Sequence, residues 1–450
     1  MIKEKRAPAK DAYHIEIAMR KLSTQPYKGT RDFLPEEMSV RNQIFQTLFH
    51  TVELFGFRRY DGPILESAAI YEAKSGEEIA NQQLYRLTDK GGRELALRPE
   101  MTPSVARIIA GNADKTPFPA RWYCNVNCHR YERPQRGRVR EHWQLNVDIF
   151  GSESAEAEVE IFDLVAALMS ALGATPEIYA LRVNDRILVE AALRNYVGLP
   201  DQMLLDVGTV IDRWEKISDE DRNKALGALG LTDNQIRRLE ELTQMDLESY
   251  CEAAGKEATH RSRLATIIHG KLSVAPLKFD PLIIRAFNYY TSTVFEVFDV
   301  DPDNRRSIFG GGRYDDLASL FTDKRIPGIG FGMGDVTTWN FLEKHGLLPK
   351  ADLGPDVYIF GTGPNHRPTV RRLTQKLREE GIRTAPALEE STLRSGLKFA
   401  DRYGARYVII VDDTEQAEGC VLVKDMLESV QVKLSQNDVV SLLREKIKDK

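Results

Sequence analysis

Cysteine is scarce in this chain, and long apolar runs are missing from it. The 450 residues include only four cysteines, Cys124, Cys128, Cys251 and Cys420. Thiols this few and this scattered argue against a disulfide scaffold and are typical of a reducing, cytoplasmic compartment. The longest apolar runs have the length of a strand, so we expect no membrane-spanning helix and no membrane partner.

A paired set of metal ligands is also lacking. Cys124 and Cys128 precede His129, but no second ligand pair accompanies them, and a structural zinc site needs four ligands. On a strand these two cysteines share a face, where small apolar side chains pack well. We therefore expect no tightly bound metal.

The first residues contain no apolar segment of the kind found in secretory signals. Glu4, Asp11 and Glu16 are mixed with basic residues there, which predicts an N-terminal extension and not a signal peptide. The formal net charge is −5. This sum neither indicates nor excludes a nucleic-acid partner, because phosphate binding depends on a local basic face.

The composition that is present, 42% hydrophobic and 29% charged, is that of a globular protein, and the length predicts two or three domains. Changes in periodicity along the chain place the boundaries. We predict an N-terminal extension (1–25), a first part of a core (26–186), a helical insertion (187–272), a second part of the core (273–345), a linker (346–355) and a C-terminal domain (356–450).

Local patterns predict the fold class of each part. Apolar residues at helical spacing run from Met38 to Phe57 and from Ala155 to Gly173, with strand-like runs and a Gly91–Gly92 turn between them. Strands grouped between helices favour an α+β core with an antiparallel sheet flanked by helices. After residue 355, strands alternate with helices, which predicts a small α/β domain with parallel strands.

An arginine-rich hairpin, HRYERPQRGRVREHW at residues 129–143, is the strongest chemical signal. Arg130 and Glu132 are two residues apart, so on a strand their side chains share a face. Guanidinium groups suit phosphate oxygens, and a carboxylate can accept from the exocyclic amine of adenine. The pattern favours a bound nucleotide, and the alternative is a basic loop that is only solvated.

The order of motifs resembles that of class II aminoacyl-tRNA synthetases, in the form found in histidyl-tRNA synthetases. The hairpin is similar to their motif 2. Further segments that resemble the family are YKGTRDFLPEE, YDGPILES (motif 1), LALRPEMTPSVAR, IIRAFNYYTSTVFE, SIFGGGRYDDL and the C-terminal RSGLKFADRYGARYVIIVDD with VLVKDM, which is similar to the anticodon-binding domain.

The resemblance implies activation of histidine by ATP and its transfer to tRNA(His), with magnesium arriving as part of the ATP substrate complex and with a homodimer formed through motif 1. It also implies a role for each matching residue. Implied as catalytic are Arg130 and Arg285; as ATP-binding, Arg130, Glu132, Arg138 and Arg313; and as histidine-binding, Glu100, Thr102, Gln144, Asp148, Tyr289, Tyr290 and Tyr314.

The sequence departs from the family pattern in two places. In motif 3, Thr337 occupies the position of an arginine that stacks on adenine and touches the γ-phosphate, and Asp335 would repel phosphate if it faced inward. In RAFNYY, Ala286 and Asn288 replace a glycine and an acidic residue. If Thr337 leaves the γ-phosphate without a cation, the loop arginines Arg133, Arg136, Arg138 and Arg140 are the first candidates to supply one.

These departures leave three interpretations of function. The first, which we favour, is an active histidyl-tRNA synthetase. The second is an inactive paralogue that regulates another enzyme, such as ATP phosphoribosyltransferase, although the C-terminal domain weighs against it. The third is another class IIa synthetase. The basic helix with Arg367, Arg371, Arg372, Lys376 and Arg378 is either a tRNA-facing surface or only a solvated face.

Overall fold

A computed structural model describes residues 22–73, 82–135, 137–285, 289–304 and 306–448. Most of the predicted N-terminal extension, together with Arg136, Ala286 and Asn288, lies outside the described residues. Contacts divide the chain into two units. The first unit continues to Leu348, and the second begins at Pro349 and also takes in Phe33–Asn42. The division at residue 348 falls within the segment 346–355 that the sequence predicts as a linker.

Eleven strands form the sheets of the described part of the first unit. They are β1 (Arg58–Arg59), β2 (Leu65–Ser67), β3 (Tyr85–Thr88), β4 (Glu94–Leu97), β5 (Ala120–His129), β6 (Glu141–Phe150), β7 (Tyr179–Asp185), β8 (Leu277–Phe279), β9 (Thr293–Asp299), β10 (Ser307–Arg313) and β11 (Gly328–Gly334). Eight of them form one sheet in the order β1-β5-β6-β11-β10-β9-β7-β8, and β2, β4 and β3 form a smaller one. The large sheet is antiparallel except for the outer pairs β1–β5 and β7–β8.

Helices flank these sheets. In chain order they are α1 (Pro35–Leu54), α2 (Ala68–Glu72), α3 (Thr102–Gly111), α4 (Glu156–Ala171), α5 (Arg186–Ala192), α6 (Leu204–Asp212), α7 (Asp219–Ala228), α8 (Asp233–Leu242), α9 (Leu247–Ala254), α10 (Lys256–Arg261), α11 (Arg263–Gly270) and α12 (Asp335–Lys344). The predicted antiparallel sheet flanked by helices is therefore confirmed.

The segment predicted as a helical insertion consists of α5 to α11 and has an apolar core of its own. Trp214, Leu226, Leu239 and Tyr250 are buried in that core. Asp185, at the end of β7, ties the segment to the sheet, because its carboxylate caps α5 through the Ile187 N–H and accepts hydrogen bonds from Ser262 and Ser292. These bonds connect the start of α11 with the chain that enters β9.

The second unit is built on a five-stranded sheet. Its elements are β12 (Val357–Gly361), α13 (Arg367–Glu379), β13 (Thr384–Pro386), α14 (Leu393–Arg402), β14 (Tyr407–Val411), α15 (Asp413–Ala417), β15 (Cys420–Asp425), β16 (Gln431–Ser435) and α16 (Asp438–Lys448). The strands β13, β12 and β14 are parallel, as expected, but β15 and β16 run antiparallel. Parallel strands need a long crossover connection, whereas a short turn joins β15 to β16, so these two strands are antiparallel.

Among the helices of the described residues, none combines the length and the apolar character that crossing a membrane requires.

Candidate active site

A cavity of about 1020 Å³ lies over the large sheet of the first unit. This is the size of a pocket that takes a nucleotide-sized ligand together with a small second one. The side chains that the sequence predicts at the site and that line the cavity are Glu100, Thr102, Arg130, Glu132, Arg138, Gln144, Arg285, Tyr289, Tyr290 and Tyr314. Residues from both halves of the sequence therefore meet at one place.

Glycines of β10 and β11 form a floor that leaves room for these side chains. A Cβ atom added to Gly310 would collide with the Arg285 guanidinium, and one added to Gly330 would collide with the Asp148 carboxylate. Gly330 pairs with Asp148 across β11 and β6. The glycine-rich segments SIFGGGRYDDL and GIGFGMG are needed because the Arg285 and Asp148 side chains lie directly against the backbone of these strands.

One end of the cavity is buried and acidic. Glu100 is 3% exposed, and its Oε2 accepts a hydrogen bond of 3.0 Å from the Tyr289 hydroxyl. Asp148 is 1% exposed and does not itself line the cavity, but it lies against the lining residues Gly330 and Tyr314. Its Oδ1 accepts from Tyr314, and its Oδ2 has no hydrogen-bond partner among the described residues. A buried carboxylate oxygen without a partner is costly, so this end of the cavity is matched to a ligand that donates hydrogen bonds.

The protonation of Asp148 is also unusual. Burial raises the pKa of this carboxyl from 3.8 to about 7, and the hydrogen bond from Tyr314 acts in the opposite direction. The carboxyl therefore changes charge near neutral pH, where a ligand that carries an N–H donor can stabilise the anion.

One face of β6 carries a row of polar side chains, of which His142 and Gln144 line the cavity. His142, Gln144, Asn146 and Asp148 are spaced by two, and Gln144 donates to Asn146 at 3.0 Å. Burial, together with nearby Arg130 and Arg31, lowers the pKa of His142 to about 3, so the imidazole is neutral at physiological pH. His142 was not among the residues predicted at the site, although its two-residue spacing from Gln144 was a usable signal in the sequence.

Arg285 lies in the wall between β9 and the insertion. Its backbone has a φ of 57°, in the left-handed region. Its Nη1 donates to the Phe295 carbonyl at 3.3 Å, its Nε is 3.8 Å from a Glu296 carboxylate oxygen, and its guanidinium lies 5.5 Å from the Tyr290 ring centroid. Burial opposes the charge, but Tyr290 and Glu296 outweigh it and raise the pKa, so the guanidinium stays charged beside the cavity.

The motif 2 segment supplies the other end of the cavity. Arg130 follows β5, and its Nε donates to the Pro99 carbonyl at 2.9 Å, which orients the guanidinium. Glu132 and Arg138 face each other across the hairpin, with an Oε2–Nε distance of 3.6 Å. At this end of the cavity, a carboxylate can accept a hydrogen bond from the base of a nucleotide, and two guanidinium groups can bind its phosphates.

Arg313 does not line the cavity, contrary to the sequence-based expectation that it contacts ATP. Its side chain is 0% exposed and donates to Glu158 at 2.5 and 2.6 Å and to Asp315 at 3.0 Å. The alternation of β10 turns it to the side of the sheet covered by α4. Arg313 is a buried structural ion-pair partner, and the sequence pattern alone does not reveal which face of the strand it takes.

In the motif 3 segment, Asp335 does not face the cavity, where it would repel phosphate. Its carboxylate accepts from Arg31 at 2.8 Å and from the Trp143 N–H at 3.0 Å, so it is engaged by the chain and does not line the cavity. Thr337 does line the cavity, and its hydroxyl donates to the Ile308 carbonyl at 2.5 Å. The lining at this position thus carries a hydroxyl in place of a cation.

Further lining residues come from segments that the sequence did not link to the site. Asp212 and Lys216 extend from the end of α6 in the insertion, and Arg306 precedes β10. No local pattern identifies Asp212 or Lys216, because only the packing of the insertion brings them to the cavity. Arg306 belongs to a pair of arginines ahead of a glycine-rich strand, which was a visible but unused signal.

Possible metal ligands lie elsewhere. Cys124 and Cys128 are fully buried beside Met101, and burial raises the pKa of the Cys128 thiol to about 12. Within the described ranges, one group of three ligating side chains was found, His366, Asp412 and Asp413 in the second unit. There the Gly363 N–H donates to His366 Nδ1 at 3.0 Å, so His366 Nε2 carries the proton that it shares with Asp413.

Comparison with known proteins gives a family for both units. The family model described as "Histidyl-tRNA synthetase" matches residues 29–334, and the model described as "Anticodon binding domain" matches residues 356–446. The family resemblance inferred from the motifs is confirmed.

Individual relatives cover nearly the whole chain. A histidine–tRNA ligase of Leptospira biflexa is 36% identical over 441 residues, which is 95% of this chain and 99% of that protein. The histidine–tRNA ligase of Pyrococcus abyssi is 36% identical over 93% of this chain and 98% of its own length. The crystal structure of a Nostoc histidyl-tRNA synthetase shares the fold, with a TM-score of 0.79 at 23% identity, covering 95% of this chain and 100% of that one.

Proposed function

This chain belongs to the histidyl-tRNA synthetase family, and we infer from this membership and from the site that it activates histidine with ATP and charges tRNA(His). The chain has the activity of a histidine–tRNA ligase. The relatives named for this activity align across both units, so neither a regulatory paralogue nor another class IIa synthetase is favoured. The observation that carries the assignment within the site is the unpartnered Asp148 oxygen, which belongs to a carboxylate directly behind the lining residues Gly330 and Tyr314 of a cavity whose other end holds guanidinium groups.

The histidine substrate is proposed to occupy the buried acidic end. Its imidazole N–H groups and ammonium group are donors, and Glu100, Asp148 and Gln144 offer acceptors there. The rings of Tyr289 and Tyr314, with centroids 6.0 Å apart in an edge-to-face arrangement, give the flat walls that an imidazole fits. Thr102 and Tyr290 complete this end of the pocket.

Activation joins two anions that repel each other. A carboxylate oxygen of histidine attacks the α-phosphate of ATP, the bond to the β-phosphate breaks, and pyrophosphate leaves. We assign Arg130 and Arg285 to the α-phosphate, where they hold both reactants and stabilise the negative charge of the transition state. The 3′-terminal ribose hydroxyl of the tRNA then attacks the acyl carbon and AMP leaves.

ATP is proposed to lie across the motif 2 end. Glu132 is placed to accept from the adenine amine, and Arg138 is placed beside the phosphates. Around the cavity, the part of the chain that the structure describes contains no group of three ligating side chains. Magnesium is therefore proposed to enter on the ATP phosphates, as it does in many nucleotide sites, with few protein ligands.

The second unit is proposed to bind the anticodon of the tRNA, in line with its family match. A homodimer through motif 1 is proposed because Ile64, just before the edge strand β2, and Leu65, the first residue of β2, are 39% and 41% exposed. Sedimentation at micromolar concentration would reveal a monomer if this is wrong. A cytoplasmic location is proposed from the four free thiols.

Pyrophosphate exchange tests the function directly. The purified chain with ATP, magnesium and labelled pyrophosphate should form labelled ATP only when histidine is present. Proline, threonine and glycine serve as controls for the other class IIa activities. Exchange with one of these and not with histidine would contradict the assignment, and so would the absence of exchange with any amino acid.

A further inference from the structure

The motif 3 position leaves one phosphate contact without a cation. Thr337 stands where the family pattern has arginine, and its hydroxyl is engaged with the Ile308 carbonyl at 2.5 Å. Ile308 belongs to β10, whose first residue, Ser307, follows Arg306 directly. The threonine therefore contacts the strand at whose entrance an arginine lies.

Arg306 extends along the arginine-rich hairpin at the mouth of the cavity. It is exposed, it lines the cavity, and a Cβ atom on Gly137 would lie 3.5 Å from its Cδ and 3.7 Å from its Nη1. Its partial burial and the neighbouring Arg138 hold its pKa below the ordinary value, with Glu132 acting in the opposite direction. Of these two guanidinium groups, that of Arg138 is within ion-pair distance of Glu132, whereas Glu132 acts on Arg306 only from farther away.

The other arginines of the hairpin fit this task less well. Arg140 is held inside the hairpin, with its guanidinium 4.3 Å from the Tyr131 ring centroid and its Nε donating to the Glu132 carbonyl at 3.1 Å. Arg133 is exposed and does not line the cavity. Arg136 lies outside the described residues. Arg306, in contrast, has no carboxylate within ion-pair distance anywhere in the described ranges, so its guanidinium is available to a ligand.

We propose that Arg306 binds the terminal phosphates of ATP, taking over from the β10 side the contact that the motif 3 arginine makes elsewhere in the family. This inference rests on the proposed function, because it presumes that ATP occupies the cavity with its phosphates toward the hairpin. A guanidinium at the entrance of β10 reaches the same mouth as Arg138 from the opposite side. The two groups hold the pyrophosphate portion, which is the leaving group of activation.

The test separates contacts to pyrophosphate from contacts to the nucleoside. In histidine-dependent exchange, Arg306→Ala should raise the KM for pyrophosphate at least about tenfold, because a charged hydrogen bond is lost. The KM for histidine and the inhibition constant of AMP, which lacks the terminal phosphates, should stay unchanged. Arg325→Ala is the matched control, since Arg325 is exposed and pairs with Glu153 at 2.7 Å away from the cavity lining.

A second variant tests whether the two positions exchange roles. Thr337→Arg, introduced into the Arg306→Ala chain, should recover much of the lost pyrophosphate affinity, and thermal unfolding should show that all variants fold alike. A double variant no better than Arg306→Ala would contradict the exchange of roles. Equal weakening of AMP and pyrophosphate, or no change in either, would overturn the phosphate contact. A native chain without histidine-dependent exchange would refute the function itself, a distinct result.

Discussion

Asp148 is a buried side chain of the site whose charge changes near neutral pH. With its pKa raised to about 7, the carboxyl gains its charge across the neutral range. A histidine N–H donor binds the charged form better, so the KM for histidine should fall as pH rises from about 6 to 8. In Asp148→Asn the KM should be about tenfold higher and nearly independent of pH apart from the titration of free histidine. Steady-state exchange at a series of pH values measures both profiles.

Tyr314→Phe provides the companion measurement for Asp148. The Tyr314 hydrogen bond lowers the pKa of the carboxyl, so its removal should shift the midpoint of the KM profile to higher pH. The stability of the ligand-free protein should fall as pH rises, whereas the affinity for histidine should increase. A folded-state pKa above the ordinary 3.8 gives stability that is present at low pH and lost as pH rises through about 7. Identical profiles for the native and Asn chains would show that Asp148 does not contact histidine.

Arg285 combines a catalytic assignment with an unfavourable backbone conformation. Arg285→Ala should slow histidine-dependent exchange by about a hundredfold or more, because charge on the α-phosphate loses its partner, while histidine binding stays measurable by calorimetry. Arg285→Gly should lose the same rate. It should also be more stable than the Ala chain by about 1 kcal/mol, since glycine adopts a φ of 57° without strain. A near-normal rate in either variant would remove Arg285 from the mechanism.

Most of the side chains that the motifs led us to expect at the site line the cavity, but the sequence did not give the direction of every side chain. Arg130 and Glu132 were expected on one strand face and both reach the cavity. Arg313 was expected at the ATP site only from the family resemblance, and it points to the buried side of β10, where it pairs with Glu158. Residues two apart along a strand lie on the same face of the sheet, but this spacing does not tell which of the two faces is buried.

The glycine-rich strands show how an element shapes the site. A Cβ on Gly332 would meet only the Gln144 amide, the end of a flexible side chain, whereas one on Gly311 would meet the Gly330 carbonyl oxygen of the neighbouring strand. Gly332→Ala should therefore fold and raise the KM for histidine several-fold. Gly311→Ala should lose much of its thermal stability. Circular dichroism and exchange kinetics separate the two outcomes, and equal melting temperatures for both would contradict the close contact at Gly311.

Element type was predictable where periodicity is long and regular. The helix expected from Met38 to Phe57 is present as Pro35–Leu54, and Gly56 follows with a φ of 77°. The direction of β15 and β16 was not predicted, because the residue pattern of a short strand is the same whether its neighbour is parallel or antiparallel. The contribution of the insertion to the cavity was equally invisible, since Asp212 and Lys216 reach it only through tertiary packing.

At the scale of the whole molecule, activation and tRNA recognition should be separable by mutation. Helix α13 of the second unit carries five basic residues, of which Arg378 donates to the Thr384 carbonyl at 2.9 Å and Arg367 is 3.3 Å from Glu390. Arg371 and Lys376 are exposed on the same helix. If this surface faces tRNA phosphates, these two side chains contribute a salt-dependent part of the affinity.

The double variant Arg371→Glu, Lys376→Glu should raise the KM for tRNA and reduce its salt dependence, while histidine-dependent exchange, which needs no tRNA, stays at the native rate. The control is Lys433→Glu, which reverses the charge of a lysine that lies on β16 and pairs with Glu418. Aminoacylation at several salt concentrations measures the effect. An unchanged KM for tRNA would identify the basic face as only a solvated surface.

The glycines of β10 and β11 also have a genetic consequence. Every missense change in a glycine codon adds at least a Cβ atom, and at Gly310, Gly311 and Gly330 that atom would collide with backbone of a neighbouring strand. Such positions have no conservative replacement. A library of random variants selected for growth should therefore be depleted of all substitutions at these three codons, while the exposed Gly92 and Gly230, where a Cβ meets nothing within 4 Å, should be limited only by their positive φ.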